Sequence, residues 1–402
     1  MHSWLSTYGR KVIVLALAAV AATAVLTGCG ARETKGQQQA SAKEVPGPLG
    51  AKLQHLLAGM VANPRTGFPG TELYVNQPRL GTWNGAAGKR TVDPSTPMQA
   101  DDRFHAGSIM KPFIATVVLQ LAEEGKLSLD ARLPAVLPHR IAALVPEAGR
   151  ISVRMLLNHT SGIPEYSDKQ LDFAAVAAPH RIWKVEEFLA RAASRPRQFA
   201  PGKGYAYSNT DYNLLGLVIE RATGQSWRAA VRERIIDRLG LKHTSLPEPG
   251  HVVDGNDVAH GYEVMNGKLR DVSDIDSSMA DAAGGAALVT NTEDLSHFLR
   301  SLLAGDLFQK KSTLKSMKTF VDAHNDSGLG LGYGLGLERY TVPGGVKVYG
   351  HFGTGPGYRA FVGYAPAQRI LMSIAFNDGH YAPGDPTQAI LRVFQVVARQ
   401  AS

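Results

Sequence analysis

The stretch from Ser108 to Glu124 limits what this chain can fold into more than any other. Its apolar positions Met110, Phe113, Ile114, Val117, Val118 and Leu121 recur at the helical period, and Ile109 and Leu119 cover most of the remaining circumference. A helix that is apolar almost all round belongs in an interior, so the fold must place other elements on every side of it. Lys111 interrupts the pattern near the start of the helix. At i,i+3 from Ser108 it shares a helix face with that hydroxyl, about 5–6 Å apart at Cβ. A serine hydroxyl is a weak nucleophile at neutral pH and needs a base beside it. A lysine desolvated against apolar walls has its charged form disfavoured and can take that role. The helix N-terminus adds a positive field for an oxyanion.

The spacing alone is weak, because Ser312-Thr313-Leu314-Lys315 repeats it within the basic stretch QKKSTLKSMKTF, where the lysines read as solvated surface. The first copy is followed in order by Tyr207-Ser208-Asn209 and by His351-Phe352-Gly353, whereas Tyr74-Val75-Asn76, another Y-x-N, precedes it in a predicted strand. No H-E-x-x-H occurs, and the glycines from Gly328 to Gly336 do not fit G-x-G-x-x-G, so neither a metal nor another cofactor is expected. G-x-S-x-G is absent as well.

Around these motifs the pattern predicts a helix over Leu53–Val61, strands over Glu72–Val75 and Gly81–Val92, and a mostly helical middle. Its helices are placed at 153–158, 185–195, 211–223 and 226–239, with another at 294–303. Strands then follow at Tyr333–Val342, Val346–Tyr349, Tyr358–Tyr364 and Ile370–Phe376, the first two joined as a hairpin through Pro343-Gly344-Gly345, and a helix over Pro386–Arg399 ends the chain. Strands at both ends around a helical middle imply an α/β protein, with an antiparallel sheet flanked by helices and an inserted, mostly α-helical domain. The expected division is an α/β domain from 50–127 and 285–402 with the insertion at 128–284.

The N-terminus points to export. Arg10 and Lys11 precede the apolar run Val12–Leu26, which is short of the roughly 20 residues of a spanning helix and has the order of a secretory signal. Leu26-Thr27-Gly28-Cys29 then resembles the lipobox of bacterial lipoproteins, in which the cysteine is lipidated and becomes the mature N-terminus. The expectation is a signal peptide over 1–28, a lipidated tether over 29–49 and a membrane contact through Cys29. Cys29 is the sole cysteine, so packing alone must stabilise the fold. The net charge of +8 suits an anionic membrane surface or an acidic cell-wall polymer, but no dense basic block stands beside aromatics, which argues against nucleic acid. Nothing in the sequence calls for a protein partner.

The three ordered motifs resemble the serine β-lactamase and penicillin-binding family, in the branch with class C β-lactamases, D-Ala-D-Ala carboxypeptidases and related esterases. Leu156-Leu157-Asn158-His159-Thr160-Ser161-Gly162-Ile163, Tyr212-Asn213-Leu214-Leu215-Gly216, Gly284-Gly285 and Gly332-Tyr333-Gly334-Leu335-Gly336 support the likeness, which covers nearly everything after the tether. The resemblance implies acylation of Ser108 with Lys111 as base or shuttle. It further implies that Tyr207 relays protons to the leaving group, Asn209 holds the substrate amide, and His351 lines the site and bonds Tyr207. The backbone N–H groups of Ser108 and Thr354 would form the oxyanion hole, and Gly353 would belong to the substrate-binding residues. Phe352 departs from the pattern, since the family has Thr or Ser there to contact a substrate carboxylate, and Thr354 or Arg339 are the residues that could compensate. The substrate implied is a cell-envelope peptide, a β-lactam or a related amide, with an ester, or a non-catalytic wall-binding role, as alternatives.

Overall fold

The computed structural model describes residues 47–62, 68–253, 255–323, 330–379 and 385–401. The expected signal peptide and the tether up to residue 46, Cys29 included, lie outside them. Helix α1 (Gly47–Ala62) leads into β1 (Gly70–Gln77), β2 (Gly81–Thr91), β3 (Thr96–Pro97) and β4 (Phe104–His105). A 3₁₀ turn at 107–109 then opens α2 (Met110–Glu123). Seven further helices occupy the middle: α3 (Leu133–Val136), α4 (His139–Ala142), α5 (Val153–Leu157), α6 (Lys169–Ala177), α7 (Val185–Ala193), α8 (Asn209–Thr223) and α9 (Trp227–Val231), the last continued by a π-helical stretch to Asp237. The hairpin β5 (Tyr262–Met265) and β6 (Lys268–Asp271) follows, then β7 (Val289–Thr290), α10 (Thr292–Ala304) and α11 (Lys311–Met317). Strands β8 (Val321–Ala323), β9 (Gly330–Tyr333), β10 (Glu338–Val342), β11 (Val346–Gly355), β12 (Tyr358–Ala365) and β13 (Ile370–Phe376) precede α12 (Pro386–Ala401).

Nine strands form one antiparallel sheet in the order β3-β2-β1-β13-β12-β11-β10-β9-β8. The chain's two ends therefore meet in the middle of the sheet, where β1 pairs β13 with Leu73 opposite Ile374. Both faces are covered. One carries α1 and α12 over Leu53, Leu57, Val393 and Val397, and the other carries the large core built around α2, α8 and α10. From Met110 to Leu121 every residue of α2 is buried, as its all-round apolar pattern demands, and Phe113 stacks on Phe298 of α10 at 3.6 Å between ring centroids.

One sequence expectation changes here and another holds. The strand expected over Tyr333–Val342 is broken at 334–337, because Gly336 is left-handed (φ 77°) and lies so close to α2 that a Cβ would stand 2.3 Å from Ala115. A side chain there would push the loop off the nucleophile helix. The basic stretch around Ser312 is helical, and its Ser312 and Lys315 are exposed, as expected of a solvated face.

Candidate active site

Ser108 stands where the 3₁₀ turn enters α2, and backbone fit holds it there. Gly107 has a left-handed φ of 55°, and a Cβ on it would lie 2.7 Å from the backbone of Thr354. A Cβ on Gly353 would lie 2.0 Å from the carbonyl oxygen of Ala106. Main chain therefore meets main chain between the nucleophile turn and β11, and only glycine permits that approach.

Lys111 is fully buried one helical turn on. Its Nζ lies 2.6 Å from the Ala283 carbonyl oxygen, 2.7 Å from Asn209 Oδ1 and 2.9 Å from Ser108 Oγ. Two of these partners can only accept, so a neutral amine spends both its N–H donors on them and turns its lone pair to the Ser108 hydroxyl. Burial favours that neutral form and brings the lysine down to about 7, against the pull of Glu165, Glu338 and Asp211. Tyr207 hydrogen-bonds Ser108 and is held protonated by burial, which pushes its hydroxyl well above the usual range. The Tyr207 ring lies 4.9 Å from Lys111 Nζ and 4.5 Å from the buried ring of His159, which is kept neutral by desolvation.

Two expected contacts are different. His351 Nε2 meets the Tyr333 hydroxyl at 3.0 Å rather than Tyr207, and its Nδ1 faces the Phe352 carbonyl oxygen at 2.6 Å. Tyr333 packs edge-on between the His351 and Tyr207 rings and so takes the partner's place. Arg339 does not reach the cleft. Successive strand residues face opposite ways, so Glu338 turns to the cleft while the Arg339 guanidinium lies over Phe320, 4.7 Å from the ring centroid.

β11 also presents an open edge. The β10 pairing stops at Glu338 opposite Gly350, whereas β12 follows β11 to Gly355. Among the described residues, 351–355 thus have a strand partner on one side only. Phe352 N–H points to the open side, where it donates to Glu338 Oε2 at 2.8 Å. N–H groups two residues apart leave a strand on the same side, so Thr354 N–H is directed to the same edge, beside Ser108. Phe352 and Thr354 both line the cleft.

A family model described as Beta-lactamase matches residues 51–396. The chain belongs to the Beta-lactamase family. It is a serine hydrolase. Among its relatives, the esterase EstB of Burkholderia gladioli is 29% identical, with 62% of this chain aligned to 70% of that one. Penicillin-binding protein 4 of Amycolatopsis lactamdurans is also 29% identical, over 69% of this chain and 73% of its own. Among solved structures, a D-stereospecific amidohydrolase from Streptomyces sp. superposes with TM-score 0.75 and 32% identity, covering 86% of this chain and 98% of its own. The D-amino acid amidase of Ochrobactrum anthropi SV3 complexed with D-phenylalanine gives TM-score 0.75 at 25% identity, covering 88% and 99%.

In this Beta-lactamase-family hydrolase the cleft holds about 500 Å³. Its far wall comes from α6, with Phe173 and Val176, and from the β5–β6 hairpin, with Met265. Among the described residues lining it, Glu165, Asp168, Asp172, Glu263 and Glu338 are acidic and Lys169 is basic. Asp168 is paired with Arg191 and Arg195. Glu165 and Glu338 escaped the sequence reading. Glu165 accepts from the N–H of Asn209 and of Ser167, each at 2.7 Å, and so anchors the start of α8, while burial raises its carboxyl. No local pattern marks either glutamate. Strand alternation from Phe352 to Gly350, the residue that Glu338 faces across the hairpin, could have singled out Glu338.

Proposed function

We propose that the hydrolase is exported, anchored through Cys29, and cleaves small amides or esters through an acyl-enzyme at Ser108. The observation that carries this reading is the Lys111 amine, whose two N–H donors are taken by obligate acceptors while Ser108 Oγ stands 2.9 Å away. Lys111 accepts the Ser108 proton as Oγ attacks the substrate carbonyl, and the Ser108 and Thr354 N–H groups stabilise the oxyanion. Tyr207, protonated and bonded to Ser108, passes a proton to the leaving group. Asn209 orients Lys111 and meets the substrate amide. Water then releases the acyl group by the same steps in reverse.

An amide is favoured by the amidase and amidohydrolase among the structural neighbours, and an ester by the esterase relative. Two of the groups that would hold a carboxylate are missing from the described cleft lining: position 352 is Phe, and Arg339 lies over Phe320. A cell-envelope peptide is the second reading, favoured by the penicillin-binding relative and by the +8 charge. The test compares D-phenylalanine amide, a p-nitrophenyl ester and nitrocefin on wild type and Ser108→Ala. Turnover of amide or ester that vanishes in Ser108→Ala is expected, and nitrocefin turned over faster than both would overturn the carboxylate-free reading. Cys29→Ala is expected to move the protein from the membrane to the soluble fraction, and an unchanged distribution would refute the anchor.

A further inference from the structure

The open edge of β11 ends at a carboxyl group. Glu338 is the first residue of β10, and its Oε2 occupies the place that a continuing strand would fill, accepting Phe352 N–H at 2.8 Å and the Tyr340 hydroxyl. The same oxygen lies 3.7 Å from His351 Nδ1. The side chain is buried yet lines the cleft with Ser108, Phe352 and Thr354. An acyl carbonyl held at Thr354 N–H places the rest of the substrate along this edge, and two residues of strand, about 6.5 Å, separate that N–H from the one Glu338 has taken.

We infer that Glu338 is a specificity residue, which repels substrates bearing a carboxylate from the end of the β11 edge and admits neutral or cationic ones. The inference rests on the reading of Ser108 as the acylated residue. Among the described residues, neither Arg339 nor the neutral form of Lys111 cancels the charge at this point. Arg339 faces away over Phe320, and Lys111 has its N–H donors committed to Asn209 and Ala283. Burial raises the Glu338 carboxyl to about 7, so it is ionised in mildly alkaline solution.

The test uses two rigid probes of nearly equal shape, 3-carbamoylphenylboronic acid and 3-carboxyphenylboronic acid. Their Ki values are measured at pH 8 by competition with ester hydrolysis. Wild type is expected to bind the carboxamide about tenfold more tightly, the scale of one unfavourable charge pair in a partly solvated site. In Glu338→Gln, which keeps an acceptor for Phe352 N–H, the two Ki values converge to within about twofold, while Glu338→Asp retains the preference. Equal Ki values in wild type, or an unchanged ratio in Glu338→Gln, overturn the inference. Should Glu338→Gln not fold, the wild-type ratio and Glu338→Asp decide it. Carboxamide inhibition with equal affinity in Ser108→Ala, followed by direct binding, instead overturns the reading of Ser108.

Discussion

Ser108–Lys111 and Ser312–Lys315 share residue types, spacing and a helical setting, yet differ in everything around them. Lys111 is enclosed by α2, α8 and the 281–285 turn, with three oxygen partners, whereas Lys315 is exposed on the short helix α11. The difference teaches that the motif becomes chemistry through desolvation. Spacing brings an amine to a hydroxyl, but burial removes its proton near neutral pH and fixed acceptors aim its lone pair.

The comparison breaks first at the two lysines. Lys111→Ala is expected to lower kcat/KM by about 10³-fold or more, the scale seen when a nucleophile's base is removed, while Lys315→Ala stays within about twofold. Packing should separate the two helices as strongly. Phe113→Ala, which empties the stack on Phe298, should cost about 3–5 kcal/mol in a denaturant titration, against about 1 kcal/mol for Leu314→Ala on half-buried α11. A Cβ on Gly353 has no room against Ala106, so Gly353→Ala should lower kcat by about 10²-fold through displaced Thr354 N–H, with KM moving less. Among the variants at the site the smallest effect belongs to Tyr333→Phe, which removes the hydroxyl bonded to His351 Nε2. A loss of about threefold to tenfold in kcat/KM is expected, and no loss would show that His351 needs no such partner.

Much of this was legible in the chain. The all-round apolar helix announced a buried α2, and the order Ser108, Tyr207, His351 announced a site that the fold assembles from a helix start, a loop and a strand. What stayed hidden depends on facing and on distant neighbours. The Gly334–Leu337 break follows from contact with Ala115, which no local pattern records. The partner of His351 follows from where Tyr333 lands, and the turning away of Arg339 from which residue begins β10. Helices α3, α4 and α6 were missed because the first two span only four residues each and the apolar face of α6 is narrow, with Leu171 and Ala175 its buried residues. Glu165 and Glu338 lie 173 residues apart in sequence and share a cleft only after folding.

The most direct test of desolvation as the source of the base is the pH dependence of Ser108 phosphonylation by a fluorophosphonate, followed by peptide mass mapping. The reactive species is the neutral amine, so the rate should fall as pH drops through about 7, where Lys111 gains its proton, and reach a plateau above it. The adduct should map to Ser108 and never to Ser312. A rate that is flat from pH 5 to 9, or that survives in Lys111→Ala, would contradict the account.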